Sequence, residues 1–359
     1  MLFKNDFDKL KVCVIAVDNS GCGNYRVIIP YNELINKGYK QFKIYNHTPS
    51  FEILKQFDVI LFQRVVDYNP LPFLPPYYLP LNLMKELKAL GKVIIHEVDD
   101  NLMILPPHNP SYHDYKPNSE PIKYHKEALR LADFIHCTND NLKNSISELL
   151  NINKGKIYTF DNAVDVNYIY YKNRRSELPQ DKIIIGYQGG SSHEKDLQIL
   201  VEPVRKILKK YGNVMFGFCS NPYYLKYFNL PKDRVIQIPI ENNFNKFLSI
   251  PSMFDIGLVP LIDDDFNRCK SQLKIHEYGI YSIPTICSNV SIYDVKDGVN
   301  LLANNNKNDW FKNIEMLILD EQKRKEIGEN AYEYCTSNFS SNSLYNINNK
   351  RIEFYRTCI

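Results

Sequence analysis

Residues 254–288 read FDIGLVPLIDDDFNRCKSQLKIHEYGIYSIPTICS, and their pattern decides the class of fold. The apolar run that ends at Leu261 predicts a buried strand, which a polar loop follows. A helix is predicted to start close to Ser271, and a further strand at Ile283. A strand, a crossover helix and a second strand form the repeating unit of a parallel α/β sheet.

The same alternation extends over the whole chain in two series. Six short apolar runs predict strands that begin at Val12, Gln41, Asp58, Lys92, Asp133 and Lys156. Helical periodicity over residues 25–37, 78–90, 119–132 and 139–150 separates most of them. A second series of strands begins at Lys182, Asn213, Arg234, Phe254, Ile283 and Asn300, and helical pattern dominates from residue 308 onward.

This pattern predicts an α/β protein with two tandem Rossmann-like, doubly wound domains, at 1–165 and 182–340. A polar linker is expected at 166–181, and a last helix, 341–359, is expected to pack back on the first domain. Ligands of such sheets bind beyond the carboxyl ends of the strands. We therefore expect the functional residues in the strand-to-helix loops that face an interdomain cleft.

Composition excludes several classes of protein. The 359 residues carry 44 Lys and Arg against 41 Asp and Glu, which does not suit a polybasic nucleic-acid binder or an acidic disordered chain. The longest apolar stretches are too short to cross a bilayer, and the first eleven residues are too charged for a signal peptide. We expect a cytoplasmic protein that binds no nucleic acid. The basic stretch at Lys172, Arg174 and Arg175 leaves peripheral contact with an anionic membrane open, although a solvated linker is favoured.

The metal-type residues show no ligand spacing. Eight cysteines are scattered without a Cys-x-x-Cys pair, which indicates reduced thiols. The three consecutive aspartates at 263–265 cannot all point the same way, and no further acid or histidine has ligand spacing to them. A solvated loop, or contacts to sugar hydroxyls, is favoured over a metal site, and no cofactor is expected.

The loop after the first strand reads DNSGCGNYR, from Asp18 to Arg26. Gly21 and Gly23 are present, but Arg26 stands at the third glycine position of a dinucleotide fingerprint, which makes a nicotinamide enzyme a weak hypothesis. A flexible turn that lets a ligand approach closely, with Arg26 as an anion partner, remains. A tight turn with a surface arginine is about equally favoured.

Two carboxylates, Asp99 and Asp100, follow the fourth strand of the first series, where they would face the cleft. They can orient hydroxyls or accept a proton, although Asp also starts turns. The long loop 101–118 that follows contains His108 and Tyr112, and loops of this length are often functional. We treat it as a candidate acceptor-binding loop.

In the second domain, the first strand runs into Gly189 and Gly190, and a helix is expected to begin near Ser191 or Ser192. The free N–H groups of such a helix start suit a phosphate, and His193 and Lys195 can add donors. An ordinary N-cap at Ser192 explains the same residues without function.

The helix predicted after Ser271 carries the most specific pattern. Lys270, Lys274, Glu277 and Tyr281 recur at spacings of four, three and four and would share one helical face. A lysine at the helix start suits a diphosphate, and a deeper carboxylate suits the two hydroxyls of a ribose. A solvent-facing ladder of ion pairs is the simpler alternative.

These residues resemble the C-terminal domain of GT-B glycosyltransferases, specifically the large retaining clan of family 4 and family 1-like enzymes. The shared pattern is an aspartate, an apolar strand, a proline, a polar loop, Lys-Ser-x-x-Lys-x-x-Glu-Tyr and a further strand. GYQGGSSHEKDLQIL and the closing helices are similar to the clan as well, and SGCGNYRVIIPYNEL and HEVDD look like a subset of it. One departure concerns the clan's first glutamate, eight positions before Glu277, where this chain has Cys269.

The resemblance implies a metal-independent glycosyltransferase that uses a nucleoside diphosphate sugar and retains the anomeric configuration. The acceptor would be a glycan, a lipid-linked glycan or a protein, as in bacterial surface polysaccharide or protein glycosylation. Two alternatives stay open: a nucleotide-sugar 2-epimerase of the same fold, and a catalytically degenerate binding protein, which Cys269 suggests. By motif position, Glu277 would hold the ribose, and Lys270 with Lys195 the diphosphate.

The candidate residues form three groups. The catalytic group is Lys270, Asp99 and Asp100, the donor-binding group is Gly189, Gly190, His193, Lys195, Lys270, Ser271, Lys274 and Glu277, and the acceptor or cleft group is Gly21, Gly23, Arg26, His108 and Tyr112.

Overall fold

The computed structural model describes residues 7–16, 18–64, 78–164, 174–293, 301–303, 306–338 and 341–358. Strands in the first half are β1 Val12–Ile15, β2 Phe42–Tyr45, β3 Val59–Gln63, β4 Val93–Val98, β5 Phe134–Cys137 and β6 Ile157–Thr159. Those in the second half are β7 Ile183–Gln188, β8 Val214–Cys219, β9 Val235–Gln237, β10 Ile256–Val259, β11 Thr285–Ser288 and β12 Leu301–Ala303. Each lies within a run that the sequence predicts as a strand.

Helices follow most of these strands. They are α1 Gly21–Gly23, α2 Ile29–Asn36, α3 Phe51–Leu54, α4 Tyr78–Ala89, α5 Glu120–Leu131, α6 Asp140–Leu150, α7 Glu194–Leu197, α8 Val201–Lys210, α9 Leu225–Phe228, α10 Phe244–Ser249, α11 Leu273–Gly279, α12 Lys307–Leu319, α13 Glu321–Asn338 and α14 Ser341–Cys358. A π-helical turn, Asn24–Ile28, joins α1 to α2. Within the described residues, no helix is both long and apolar enough to span a membrane.

Two six-stranded sheets form, and every strand pair in them is parallel. The first has the order β2-β1-β3-β4-β5-β6 and the second β12-β11-β10-β7-β8-β9. Strands such as β1 and β4 are buried along their whole length, because crossover helices cover both faces of a parallel sheet. The predicted class, two tandem Rossmann-like domains, is confirmed.

Strand order also locates the ligand side of each sheet. The order reverses between β1 and β3 in the first sheet and between β7 and β10 in the second. Ligands of doubly wound sheets bind in the crevice at such a reversal, outside the carboxyl ends of the strands. The loops after β1, β3, β7 and β10 are therefore the positions from which a shared site can be built.

The last helix, α14, returns to the first domain. Its Phe354 ring packs against His136 and Tyr158 with centroid distances of 4.7 Å to each. The amide of Asn348 donates to the Pro30 carbonyl at 2.8 Å. These buried contacts make the end of the chain part of the first domain's core.

The predicted linker lies partly outside the described residues, at 166–173. Its remainder begins with a short 3₁₀ helix, Arg174–Glu177. Arg174 pairs with Glu177, and Arg175 donates to both oxygens of Asp255 at 3.0 and 3.1 Å. These two guanidinium groups of the basic stretch thus have partners within the chain.

Candidate functional site

A cavity of about 330 Å³ lies between the carboxyl edges of the two sheets. Both domains line it, with side chains from the loops after β1, β4 and β5 facing those from the loops after β7 and β10 and from α11. Among the predicted residues, it brings together Gly21, Asp99, Asp100, Gly190, His193, Lys270, Ser271, Lys274 and Glu277.

Glu277 is the most buried carboxyl group that lines the cavity, with 4 % of its surface exposed. Its Oε1 accepts a hydrogen bond from the Tyr25 hydroxyl at 2.7 Å, and its Oε2 lies 3.9 Å from Lys274 Nζ. Burial raises the pKa of the Glu277 carboxyl, against the opposing effects of Lys274 and Tyr25. A solvent-facing ladder of ion pairs does not fit this burial.

Lys274 and Lys270 bring two positive charges to the same cavity. Lys274 Nζ donates to the Gln188 carbonyl, at the end of β7, at 3.0 Å. Lys270 precedes α11, which begins at Leu273, so the prediction that it lies on the helical face is wrong. Its extended backbone still directs the side chain into the cavity.

Lys270 is linked to the first domain through a chain of charges. Its Nζ lies 3.5 Å from Asp100 Oδ1, and Arg64 contacts both Asp100, at 3.4 Å, and Asp99, at 2.6 Å. Burial raises the pKa of the Asp99 carboxyl, but Arg64, together with smaller effects of Cys22 and Arg26, holds that pKa below its ordinary value. Asp99 is thus a carboxylate at neutral pH.

His193 is held by Asp196, whose Oδ2 lies 2.8 Å from the imidazole Nδ1. The other oxygen of Asp196 accepts from the Ile262 N–H at 2.7 Å. Burial lowers the pKa of His193, and Lys270 and Lys274 add to this lowering, against the opposing effect of Asp196. A neutral imidazole that donates from Nδ1 to a carboxylate leaves Nε2 as an acceptor, which suits a sugar hydroxyl better than a phosphate.

The helix predicted after Gly190 is short. It consists of a single 3₁₀ turn, Ser191–His193, and the four residues of α7. Lys195 is exposed and lies outside the cavity lining, as does Gly189, where a Cβ would come within 2.2 Å of the Tyr187 hydroxyl. The predicted diphosphate contact of Lys195 therefore has no support in the geometry.

Arg26 does not face the cavity, contrary to the prediction of an anion partner or a surface arginine. Its guanidinium is fully buried and pairs with Glu97, with Nη2 2.7 Å from Oε1. It also donates to the Phe160 carbonyl and, at 2.8 Å, to Asn162 Oδ1. Asn162 in turn donates to the Ser271 hydroxyl at 3.1 Å. Arg26 therefore helps to position Asn162 and Ser271, which line the cavity, without lining it itself.

The loop after β1 keeps one of its glycines at the cavity. Gly21 lines the cavity, whereas Gly23 does not. A Cβ at Gly23 would stand 1.8 Å from the Asp18 carbonyl oxygen. Only glycine fits at this contact, which lets the loop turn sharply into α1. The turn carries Tyr25 toward the second domain.

The candidate acceptor loop, 101–118, is folded into 3₁₀ helices at Leu102–Ile104 and Pro110–His113. Tyr112 packs on an apolar cluster that contains Leu102, Ile122 and Phe266. Neither His108 nor Tyr112 lines the cavity, although the second 3₁₀ helix lies against Ser191–His193. The loop therefore borders the cleft without supplying these two side chains to it.

Cys269, at the position of the clan's first glutamate, is 3 % exposed. It packs with Ile135, Leu142 and other apolar residues of the first domain. Its carbonyl accepts from the Asn139 amide at 3.2 Å. The side chain therefore serves an interdomain contact and supplies no polar group to the cavity.

The aspartates at 263–265 are used locally. Asp263 and Asp265 pair with Arg268 at 2.8 and 2.9 Å, and Asp264 accepts from the Asn267 N–H at 2.7 Å. Among the described residues, no group of three or more His, Cys, Asp or Glu side chains is placed to hold a metal ion.

Four residues of the site were missed in the sequence analysis: Tyr25, Arg64, Asn162 and Asp196. Arg64 directly follows the apolar strand β3, which the sequence predicts, but only the structure shows that the strand order reverses there. Its φ of 46° lies in the left-handed region, which turns the chain out of the strand. Asn162 lies beyond β6 in a segment without a recognisable motif.

No protein family model and no curated protein sequence matches the chain. Solved structures with the same fold do match. HepE of Anabaena, in complex with UDP and glucose, is 12 % identical and aligns over 97 % of this chain and all of its own, with a TM-score of 0.66. Sucrose-phosphate synthase of Thermosynechococcus elongatus is 15 % identical over 98 % of this chain and 99 % of its own, with a TM-score of 0.66.

A glycosyltransferase from Rickettsia africae is 14 % identical and aligns over 97 % of this chain and 98 % of its own, with a TM-score of 0.62. These likenesses confirm the GT-B fold that the sequence resemblance predicts. At such identities they establish the fold and leave the activity to be argued from the site.

Proposed function

We propose that the protein is a glycosyltransferase that moves a sugar from a nucleoside diphosphate sugar to an acceptor hydroxyl. The observation that carries the proposal is the buried Glu277 carboxylate beside Lys274 and Lys270, in one cavity at the facing reversal points of two Rossmann-like sheets. A carboxylate at that depth suits ribose hydroxyls, and the two ammonium groups suit a diphosphate. The structures of HepE with UDP and with UDP-glucose favour a uridine nucleotide as the first donor to test.

In the proposed reaction, negative charge develops on the departing diphosphate. The bond between the anomeric carbon and the diphosphate oxygen breaks, and its electron pair stays on the diphosphate, next to Lys270 and Lys274. The acceptor oxygen forms the new bond to the anomeric carbon, and its proton passes to the departing diphosphate. Fixed positive groups in a closed cleft stabilise that charge. Asp99 and Asp100, held by Arg64, would orient the acceptor hydroxyl.

Several finer properties stay predictions from the sequence. They are retention of configuration, independence from metal, a cytoplasmic location, and an acceptor that is a glycan, a lipid-linked glycan or a protein. The first domain would take the acceptor and the second the donor. His193 Nε2 would accept a hydrogen bond from a hydroxyl of the transferred sugar. Cys269, at the position of the glutamate that contacts the donor sugar in the clan, supplies no such contact.

Thermal unfolding with UDP, GDP, ADP and their sugar conjugates, with and without EDTA, tests the donor site. A nucleotide at a hundred times its Kd raises the free energy of unfolding by about 2.7 kcal/mol. We expect such a rise with one class of nucleotide, unchanged by EDTA and lost in Glu277→Gln. Glu120→Gln, which changes an exposed carboxylate paired with Lys123, is the matched control. No rise with any nucleotide would refute the donor site.

Product analysis then separates the alternatives. Incubation with the donor alone would change the sugar of the nucleotide if the protein were a 2-epimerase. A binding protein without catalysis, which the loss of the glutamate at Cys269 allows, would show donor binding with neither hydrolysis nor transfer. A glycosyltransferase releases the nucleoside diphosphate faster when the acceptor is supplied.

A further inference from the structure

The cavity between the two domains contains its own counter-ions. Within the described part of the chain, its charged lining residues are Lys270 and Lys274 on the positive side and Asp99, Asp100 and Glu277 on the negative side. Arg64 contacts both aspartates and supplies a third positive charge. Among the described residues, three cations therefore meet three carboxylates, so a diphosphate brings further negative charge into a site that is already balanced.

The ion pair between Lys270 and Asp100 is long. Lys270 Nζ lies 3.5 Å from Asp100 Oδ1, whereas Arg64 Nε lies 2.6 Å from Asp99 Oδ1. The longer distance exceeds the usual length of an N–H···O hydrogen bond, and the shorter one is a direct charge-assisted hydrogen bond. The Lys270 ammonium is therefore easier to take over by a competing anion than the Arg64 guanidinium.

Both partners keep other contacts when this pair opens. Lys270 Nζ lies 4.5 Å from the centre of the Phe266 ring, and the Lys270 carbonyl accepts from the Asn139 amide at 2.7 Å. The second oxygen of Asp100, Oδ2, lies 3.4 Å from Arg64. An exchange of the partner of Lys270 thus leaves neither residue without a contact that holds it at the cavity.

We propose that Asp100 is the internal counter-ion of Lys270, and that Lys270 exchanges Asp100 for the diphosphate when the donor binds. The inference rests on the proposed function, because it names how that donor site stores its positive charge before the donor arrives. Asp100 then lowers the affinity for the donor. The exchange also releases Asp100 Oδ1, the oxygen of a carboxylate that is proposed to orient the acceptor hydroxyl.

The test is a double-mutant cycle measured by calorimetry with UDP, or with GDP or ADP where the melts favour that nucleotide. Asp100→Asn should bind the nucleotide about fivefold more tightly than the wild type, because no carboxylate competes for Lys270. Lys270→Met should bind it about tenfold more weakly, since one charged contact to the diphosphate is lost. In the Lys270→Met background, Asp100→Asn should change the affinity by less than about twofold, because no lysine remains to be released.

Two controls separate the exchange from a simple change of charge. Asp263→Asn removes an exposed carboxylate that pairs with Arg268 and lies outside the cavity lining, so it should bind the nucleotide as the wild type does. Uridine carries no phosphate, so it should bind equally to the wild type and to Asp100→Asn.

Three results would overturn the proposal. Unchanged or weaker nucleotide binding by Asp100→Asn would mean that Asp100 does not compete with the diphosphate or that it braces Lys270 for it. An equal gain with and without Lys270 would mean repulsion at a distance and no exchange. Asp100→Ser provides a second measurement if Asp100→Asn is unstable. Absence of binding of UDP, GDP and ADP to the wild type would refute the donor site itself, before any variant is compared.

Discussion

Replacing Arg26 by methionine distinguishes a supporting residue from a ligand contact. The guanidinium bonds to Glu97 through Nε, at 2.8 Å, and Nη2, at 2.7 Å, and to the Phe160 carbonyl and Asn162 through Nη1. Its removal leaves a carboxylate that is 2 % exposed without its main counter-charge. Breaking a buried pair in this way costs about 3–5 kcal/mol.

For a domain of this size, that cost lowers the midpoint of thermal unfolding by roughly 6–20 °C. Arg268→Met is the control, because it breaks two exposed ion pairs, which are worth about 0–1 kcal/mol each. The double variant Arg26→Met with Glu97→Met should regain at least half of the lost stability, since it leaves no unpaired carboxylate.

The pH dependence of the deficit has a defined sign. Burial raises the pKa of Glu97 even against Arg26, and without Arg26 that pKa rises further. A carboxyl whose folded pKa lies above its unfolded value stabilises the fold at low pH, and this stabilisation is lost as pH rises through the folded pKa. The deficit of Arg26→Met should therefore be larger at pH 8 than at pH 5.5.

Circular dichroism melts and nucleotide binding, measured on the same samples, show whether Arg26 stabilises the fold or contacts the ligand. A midpoint within about 2 °C of the wild type, together with a loss of donor affinity of more than tenfold, would mean that Arg26 contacts the ligand and that its buried pairing with Glu97 carries no stability.

Three further predictions concern activity, acid stability and the last helix. Lys270→Ala should lower turnover by about 10²–10³-fold and leave the unfolding midpoint nearly unchanged, since its contact with Asp100 is long, at 3.5 Å, and Asp100 keeps its pairing with Arg64; near-normal rates would remove it from the site. Burial lowers the pKa of His125 from 6.5 to about 4, so its contribution to stability is complete above pH 6.5 and is lost as pH falls toward 4. His125→Gln should therefore reduce the loss of unfolding free energy between pH 6.5 and pH 4 by about 3 kcal/mol, measured by urea denaturation at each pH, and an unchanged loss would contradict this origin. Asn348→Leu should destabilise the protein by about 2–3 kcal/mol, because it leaves the Pro30 carbonyl and Arg351 without their buried amide partner; equal urea midpoints would show that α14 contributes little to the first domain.

The strands were predictable because a parallel strand covered on both faces needs an unbroken apolar run. The run that begins at Val12 satisfies that condition in sequence alone. The reversal of strand order was not predictable, since it depends on which strands pair and not on their composition. Without it, no argument could select Arg64 from the other basic residues.

The directions in which the side chains of the site point were harder to predict from the sequence than the strands. Glu277 and Lys274 follow α-helical spacing, so their common face was visible in the sequence. Arg26 and Tyr25 are neighbours in one turn, yet Tyr25 reaches Glu277 while Arg26 points into the first domain toward Glu97. The local pattern is equally polar at both positions, and only packing against the second domain decides between them.

The segment that carries Lys270 is held by the domain opposite to its own. Phe266 packs with Leu102 and Ile122, and the Asn139 amide donates to the Lys270 carbonyl at 2.7 Å. The position of Lys270 is consequently a property of the interface between the domains, whereas Lys274 and Glu277 stand on a helix that the second domain's own core supports.

This division would suit the different physical requirements of the two parts of the proposed donor site. A ribose carboxylate must be buried and fixed, because its hydrogen bonds are strong only where water is excluded. A lysine that stabilises the departing diphosphate must reach its place when the cleft closes, since its charge is most effective in a closed site. Because Lys270 lies on a segment that contacts the first domain, closure of the cleft would complete the proposed diphosphate site in the same step, and substitutions at Leu102 or Asn139 would change the position of Lys270 from outside the cavity.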